Sequence, residues 1–380
     1  GYEGLSTKVE RKCYNSIKSN ASKILNTEKK PGLYSIQSFT VTGGRLTPAQ
    51  IKKVLYAVQN DNPDIFWIAS SFTYCYSGNR TTLKLTSMFS PNEQKKALKQ
   101  LNNKVNSIIS QAPANASEYE LELFFHDYIV KNCKYQNVNA LKVQNMKIFT
   151  CYGCLVENAA VCEGMAKSMQ LLLNSVGIKC GTVVGSRGTE PHMWNIVKIN
   201  GNNYHLDVTW DDNDQTDSPD IKTHLYFNVT TKQISTNHFN IKPENTDCTA
   251  TEFNYARAEG LLFGNYGKTI KPAIEKGITD NFKNGKSYVE IFAVSEQSYR
   301  EIYKKLVDSD GISEIAIELR NKNGNMKFTQ YQTFENKEMY YMQFVLSGTW
   351  KQYIQHACII CKTDYIPCAM CLYFFENREC

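Results

Sequence analysis

The stretch that decides the fold is His192-Met193-Trp194-Asn195-Ile196-Val197-Lys198-Ile199-Asn200-Gly201-Asn202-Asn203-Tyr204-His205-Leu206-Asp207-Val208-Thr209-Trp210. It reads as two alternating segments about a single Asn-Gly turn. Asn-Gly between two such runs is the strongest short hairpin signal, because a type I′ turn needs positive φ at both central residues. Ile199 then pairs with Asn202, and counting back sets His192 opposite Thr209. Asp207 becomes the diagonal neighbour of His192 on the same face, about 7–8 Å away between Cα atoms. The opposite face collects Met193, Val197, Ile199, Tyr204, Leu206 and Val208, a set suited to a core. The hairpin therefore presents an imidazole and a carboxylate in one direction from a sheet with a buried back.

Working outward, Val161-Cys162-Glu163-Gly164-Met165-Ala166 precedes apolar residues Met165, Met169, Leu172, Leu173 and Val176, with Gly177 placed to end a helix. That spacing is helical. Cys162 falls at the helix N-terminus, where unpaired backbone N–H groups and the positive end of the helix dipole favour a thiolate. The same amides suit an oxyanion on an attacked carbonyl. A thiol, an imidazole that exchanges its proton and a carboxylate that holds the imidazole tautomer together form a constellation for acyl chemistry. Taken singly, Cys162, His192 and Asp207 are each more often structural. Their agreement in helix start, hairpin face and chain order favours Cys162 as nucleophile, His192 as base and Asp207 as orienter.

The motifs Tyr152-Gly153, Val161-Cys162-Glu163-Gly164, Gly177-Ile178, His192-Met193-Trp194-Asn195, Tyr204 to Asp212 and Tyr226-Phe227-Asn228 occur in that order. Together they resemble the bacterial transglutaminase-like superfamily over about residues 117–240. Phe125-His126-Asp127-Tyr128 and Asn132-Cys133-Lys134-Tyr135 resemble that family's opening helix. Met165 stands where many members carry an aromatic residue, which alters the pocket and removes no catalytic group. The resemblance implies an α+β, papain-like core: a nucleophile helix packed on an antiparallel sheet that bears His and Asp. It also implies a cysteine acyltransferase or peptidase that attacks a peptide or protein amide through a thioester. Water resolves that thioester in a peptidase or amidase, an amine in a transglutaminase. The alternative is a non-catalytic cell-surface binding or scaffold protein that keeps the fold.

Around this core, Tyr152 is a candidate oxyanion donor and Trp194 a candidate substrate contact, although packing against the nucleophile helix fits Trp194 better. His126 and Asp127 lie on an amphipathic helix and suit packing or capping. No loop of the D-x-D-x-D-G kind is present, so no metal or other cofactor is expected.

The rest of the chain bounds the reading. A 380-residue sequence with 42% hydrophobic and 21% charged residues is ordinary for a folded protein. No apolar run approaches the roughly 20 residues that span a bilayer. The net charge of +6 is spread thinly, which argues against a nucleic-acid partner. The first residue is Gly1, consistent with a removed signal peptide and an extracellular or cell-surface location. Thirteen cysteines, with Cys162 free, leave enough for as many as six bridges and favour an oxidising compartment. Cys358-x-x-Cys361 and Cys368-x-x-Cys371 suit disulfides or buried thiols better than zinc, because the segment between the pairs is short.

Three regions follow. Residues 1–112 form an N-terminal α+β region, with helices capped by Thr47 and Ser90 and a hairpin over Ile65–Tyr76 and Thr81–Met88. Residues 113–250 form the catalytic core, opened by a helix that Ser117 caps. Residues 251–380 form a C-terminal α+β domain with expected strands at Tyr288–Val294, Glu314–Leu319, Tyr340–Leu346 and Met370–Phe375.

Overall fold

The computed structural model describes residues 1–136, 143–212, 221–243, 247–282, 286–323 and 326–350. The expected strand at Met370–Phe375 and the two C-terminal Cys-x-x-Cys pairs lie outside them.

Four helices in the first third open in the same way. They are α1 (Lys8–Asn20), α2 (Pro48–Asp61), α3 (Pro91–Ile109) and α4 (Glu118–Asn132). The hydroxyls of Thr7, Thr47, Ser90 and Ser117 accept from the third helical amide, whose Glu or Gln side chain reaches back to the cap amide. Two otherwise orphaned donors are thus satisfied at each start. Strands β1 (Ile24–Lys30), β2 (Leu33–Ile36), β3 (Phe39–Thr42), β4 (Ile68–Tyr76) and β5 (Arg80–Ser87) make an antiparallel sheet in which β5 pairs with β2, β3 and β4.

The central part holds the short parallel pair β6 (Lys134–Tyr135) and β7 (Ala159–Ala160), the short helix α5 (Cys151–Leu155), and α6 (Cys162–Ser175). Beneath α6 lies an antiparallel sheet of β8 (Cys180–Arg187), β9 (Glu190–Ile199), β10 (Asn202–Leu206) and β11 (Phe239–Lys242), in the order β10-β9-β8-β11. The hairpin register is the one that the Asn-Gly turn dictates: Ile199 faces Asn202, and Asn200 and Gly201 have φ of 46° and 86°.

Apolar residues pack against both faces of this sheet. Val197, Ile199, Tyr204 and Leu206 join Met165, Met169, Leu172 and Leu173 of α6 in a core that also takes in Ile17, Val54 and Leu101. The N-terminal region and the central part therefore share one apolar core. On the other face, Val183 and Trp194 pack with Leu225, Tyr226, Val229 and Ile234, and with Phe292 and Tyr341 from further along the chain.

Those last residues belong to a third sheet, β12 (Leu262–Phe263), β13 (Lys286–Ala293), β14 (Met326–Asn336) and β15 (Tyr341–Trp350), ordered β12-β13-β15-β14. Helices Ile270–Asp280, Glu296–Tyr303 and Gly311–Asn323 accompany it, and the assembly has its own core. The whole is α+β. The expected strand at Glu314–Leu319 is instead the middle of helix Gly311–Asn323. Its six residues alternate only over a short window. Ile312, Ile315, Ala316 and Leu319 recur at helical spacing and are buried, while Ile317 is 54% exposed.

All eight described cysteines, Cys162 included, are free thiols. The expected bridges do not form among them. Six are buried, and only Cys75 is exposed.

Candidate functional site

Helix α6 starts without a side-chain cap, since Val161 at the N-cap offers no acceptor. Its first-turn amides therefore remain available beside Cys162. Gly164 is fixed by packing: a Cβ there would stand 2.4 Å from the Ile148 carbonyl oxygen and 2.9 Å from the Ala160 Cβ. The Cys-Glu-Gly run thus lets the first turn of α6 press against the preceding backbone. Asn195 ties helix to sheet, donating to the carbonyls of Ala166 (2.9 Å) and Gly181 (3.2 Å).

His192 lies near the start of β9, opposite Gly185 of β8. Strand β10 ends at Leu206, earlier than the alternation suggested, so Thr209 does not pair with His192 in a ladder. The chain curls instead. Asp207 Oδ1 accepts the amides of Thr209 (3.1 Å) and Trp210 (3.3 Å), and the Asp211 amide donates to the Asp207 carbonyl. This Asx-type turn swings the carboxylate to His192, with Oδ2 at 2.6 Å from Nε2. That leaves Nδ1 as the ring nitrogen not engaged by Asp207, and Cys162 lines the same cavity as the ring.

Burial opposes a charge on His192, but the Asp207 carboxylate, with a smaller contribution from Cys162, outweighs it and pushes the imidazole up to about 10. Burial likewise opposes the charge on Asp207, yet His192 and His238 hold its carboxyl well below the usual carboxylate range.

The His192 ring is supported from below. Trp194 stacks on it at 5.6 Å with an 18° interplanar angle. Trp194 Nε1 donates to His205 Nδ1 (3.0 Å), and His205 Nε2 meets the Thr231 hydroxyl (3.1 Å). Gly185 leaves room for this indole, because a Cβ there would lie 2.6 Å from Trp194 Cη2. Trp194 is 1% exposed, so its place is structural and it is not a substrate contact. Tyr152 is also withdrawn from the site. It stacks on Phe66 at 5.0 Å and donates its hydroxyl to Gln100 (3.0 Å), which corrects the expected oxyanion role.

Cys162, His192 and Trp210 open into a cavity of 280 Å³ with Tyr135, Arg187 and Glu190 on its walls. The Arg187 guanidinium sits 3.2 Å above the Trp210 ring. Met165 accepts the Thr209 hydroxyl on its sulfur at 3.7 Å. It thereby links the nucleophile helix to the Asp207 turn.

His238, which sequence reasoning did not single out, gives its Nε2 to the same Asp207 Oδ2 at 2.9 Å. His126 and Asp127 belong to a second buried network. His126 bridges Asp127 (3.1 Å) and Asp211 (3.2 Å), and His224 bridges Asp127 (2.9 Å) and Glu290 (2.6 Å). In each of the groups His192–Asp207–His238 and His126–Asp127–His224, one donor atom per residue lies within 4.8 Å of the others. Those atoms already meet one another in hydrogen bonds, so both groups are hydrogen-bonded networks.

The site thus joins a thiol at a helix start and an Asp-bound imidazole on an antiparallel sheet within an α+β fold. Within the chain, residues 103–208 match the family model described as the transglutaminase-like superfamily. No curated protein matches the chain in sequence. Among solved structures, a transglutaminase aligns at 12% identity and a TM-score of 0.28, over 47% of this chain and 52% of its own. This chain thus spans about half the length of that relative. A candidate protease from Parabacteroides distasonis aligns at 11% identity and TM-score 0.24, over 36% of this chain and 35% of its own. A candidate cysteine protease from Cytophaga hutchinsonii aligns at 12% identity and TM-score 0.24, over 49% and 70% of the two chains.

Proposed function

We propose that the protein is a thiol enzyme acting on peptide or protein amides, with Cys162 as nucleophile, His192 as acid and base, and Asp207 as orienter. The observation that carries this reading is the placement of His192, bound through Nε2 to Asp207 and lining one open cavity together with Cys162 at the start of α6. In the first half-reaction the thiolate attacks the amide carbon, and the first-turn amides of α6 receive the developing oxyanion. The C–S bond forms, the C–N bond breaks, and the His192 imidazolium gives its proton to the leaving amine. In the second, His192 takes a proton from water or an incoming amine as that nucleophile displaces the thiolate. Throughout, Asp207 keeps the proton-bearing Nε2 pointed at itself, so that Nδ1 serves the sulfur.

A non-catalytic scaffold would need no open cavity beside an aligned thiol and imidazole, and this arrangement favours catalysis. The test is Cys162→Ala assayed with peptide amides, with and without an added primary amine. We expect no turnover in the variant. In the parent protein, the product masses separate hydrolysis from amine transfer. Undiminished turnover in Cys162→Ala excludes the assignment.

A further inference from the structure

Asp207 Oδ2 is shared between two imidazoles. His192 Nε2 stands at 2.6 Å and His238 Nε2 at 2.9 Å, with all three side chains buried. The other nitrogen of His238, Nδ1, meets Asn237 Oδ1 at 2.7 Å, and Asn237 Nδ2 reaches the Tyr226 hydroxyl at 2.8 Å. Turning the Asn237 amide end for end would satisfy the same contacts with donor and acceptor exchanged. In either orientation His238 Nε2 carries the hydrogen that Asp207 accepts.

The ring is held on every side. Trp194 lies at 5.0 Å, His192 and Tyr226 at 5.4 Å, and Trp210 at 6.3 Å between centroids. The titratable and charged groups that face it are Asp207, His192 and Tyr226, with Arg187 beyond the Trp210 ring.

We infer that His238 is a positioning residue that sets how strongly Asp207 holds the imidazolium of His192. The inference rests on reading Cys162, His192 and Asp207 as the working triad. A carboxylate oxygen that accepts a second N–H has less negative charge to offer the first. Removal of His238 therefore tightens the grip of Asp207 on protonated His192. The thiolate–imidazolium pair is then favoured over the neutral pair, and Cys162 becomes reactive at lower pH. The same contact fixes the carboxylate plane, so its loss also permits misalignment and slower turnover.

The test is the rate of iodoacetamide alkylation at Cys162, resolved by mass spectrometry of its peptide, as a function of pH in the intact protein. For His238→Phe we expect the acidic limb to move down by about one pH unit, a tenfold faster reaction on that limb. His238→Gln, which keeps one N–H donor, should restore the parent profile. In an Asp207→Asn background, His238→Phe should produce no shift. If His238→Phe does not fold, His238→Met serves the same purpose. A purely structural role would lower turnover while leaving the limb in place, and that result overturns the inference. If Cys162 of the parent protein shows no acidic limb, the triad reading fails and the inference falls with it. A parent acidic limb with unshifted variants rejects His238 alone.

Discussion

The Asp207 carboxylate accepts four N–H groups, two from backbone and two from imidazoles. An amide side chain cannot reproduce that pattern, because its nitrogen would face a donor. In Asp207→Asn, His192 is driven towards the tautomer with hydrogen on Nδ1, which cannot take a proton from the thiol. We expect at least about a hundredfold loss in kcat/KM with the fold retained, measured by steady-state turnover and far-UV circular dichroism. At this scale Cys162, His192 and Asp207 were legible because each carries a local signal: a helix start, a hairpin face and a fixed count from the Asn-Gly turn. His238 was not. It is separated from Asp207 by 31 residues and lies between a one-turn helix and β11, outside any periodic element. Tyr152 was legible as part of a motif, but its ring direction depends on Phe66 and Gln100, which are distant in sequence.

Among the elements, β8 and β9 carry a steric requirement that can be tested directly. Gly185→Ala places a methyl group where the Trp194 indole and the Phe239 carbonyl lie within 2.6 Å. Overpacking of this kind costs about 1–3 kcal/mol. Urea unfolding should show that loss, together with a changed tryptophan emission. Gly181→Ala, on the same strand with no atom within 4 Å of the new methyl, should stay within about 0.5 kcal/mol of the parent. The hairpin register was readable because turn chemistry fixes it, whereas the end of β10 was not. Strand alternation continues through Trp210, but Asp207 captures the next amides and breaks the ladder after Leu206. Residues 314–319 were misread for the related reason that two periods fit a six-residue window, and the buried stripe of the longer helix decides between them.

For the whole molecule, the C-terminal sheet is anchored to the core by polar as well as apolar contacts. Glu290 of β13 accepts the His224 amide (2.8 Å), the His224 ring (2.6 Å) and the Tyr341 hydroxyl (3.0 Å). Burial opposes a charge on His224, but Glu290 and Asp127 push it up to about 10 from 6.5. A raised pKa in the folded state gives stability that is complete below the unfolded value and lost as pH rises through the folded one. The contribution of His224 is therefore full below pH 6.5 and falls away towards pH 10. Glu290→Gln should lower stability at neutral pH by about 1–3 kcal/mol and flatten this decline, as read from urea midpoints at acidic, neutral and alkaline pH. A decline as steep as in the parent protein would mean that Glu290 does not hold the charge. None of this was visible in the sequence, where Glu290 is one acid in an apolar strand and His224 has no periodic neighbour. The pairing exists only once the loop that carries His224 meets strand β13, far along the chain.

The most direct measurement of the central claim compares iodoacetamide alkylation of Cys162 and Cys75 in one sample, read peptide by peptide from mildly acidic to alkaline pH. Cys75 is the exposed thiol among the described cysteines and provides the internal reference. Cys162, although less exposed, should react faster than Cys75 in mildly acidic solution, and His192→Ala should abolish this advantage. Equal profiles for the two thiols, or an advantage that survives His192→Ala, would contradict it.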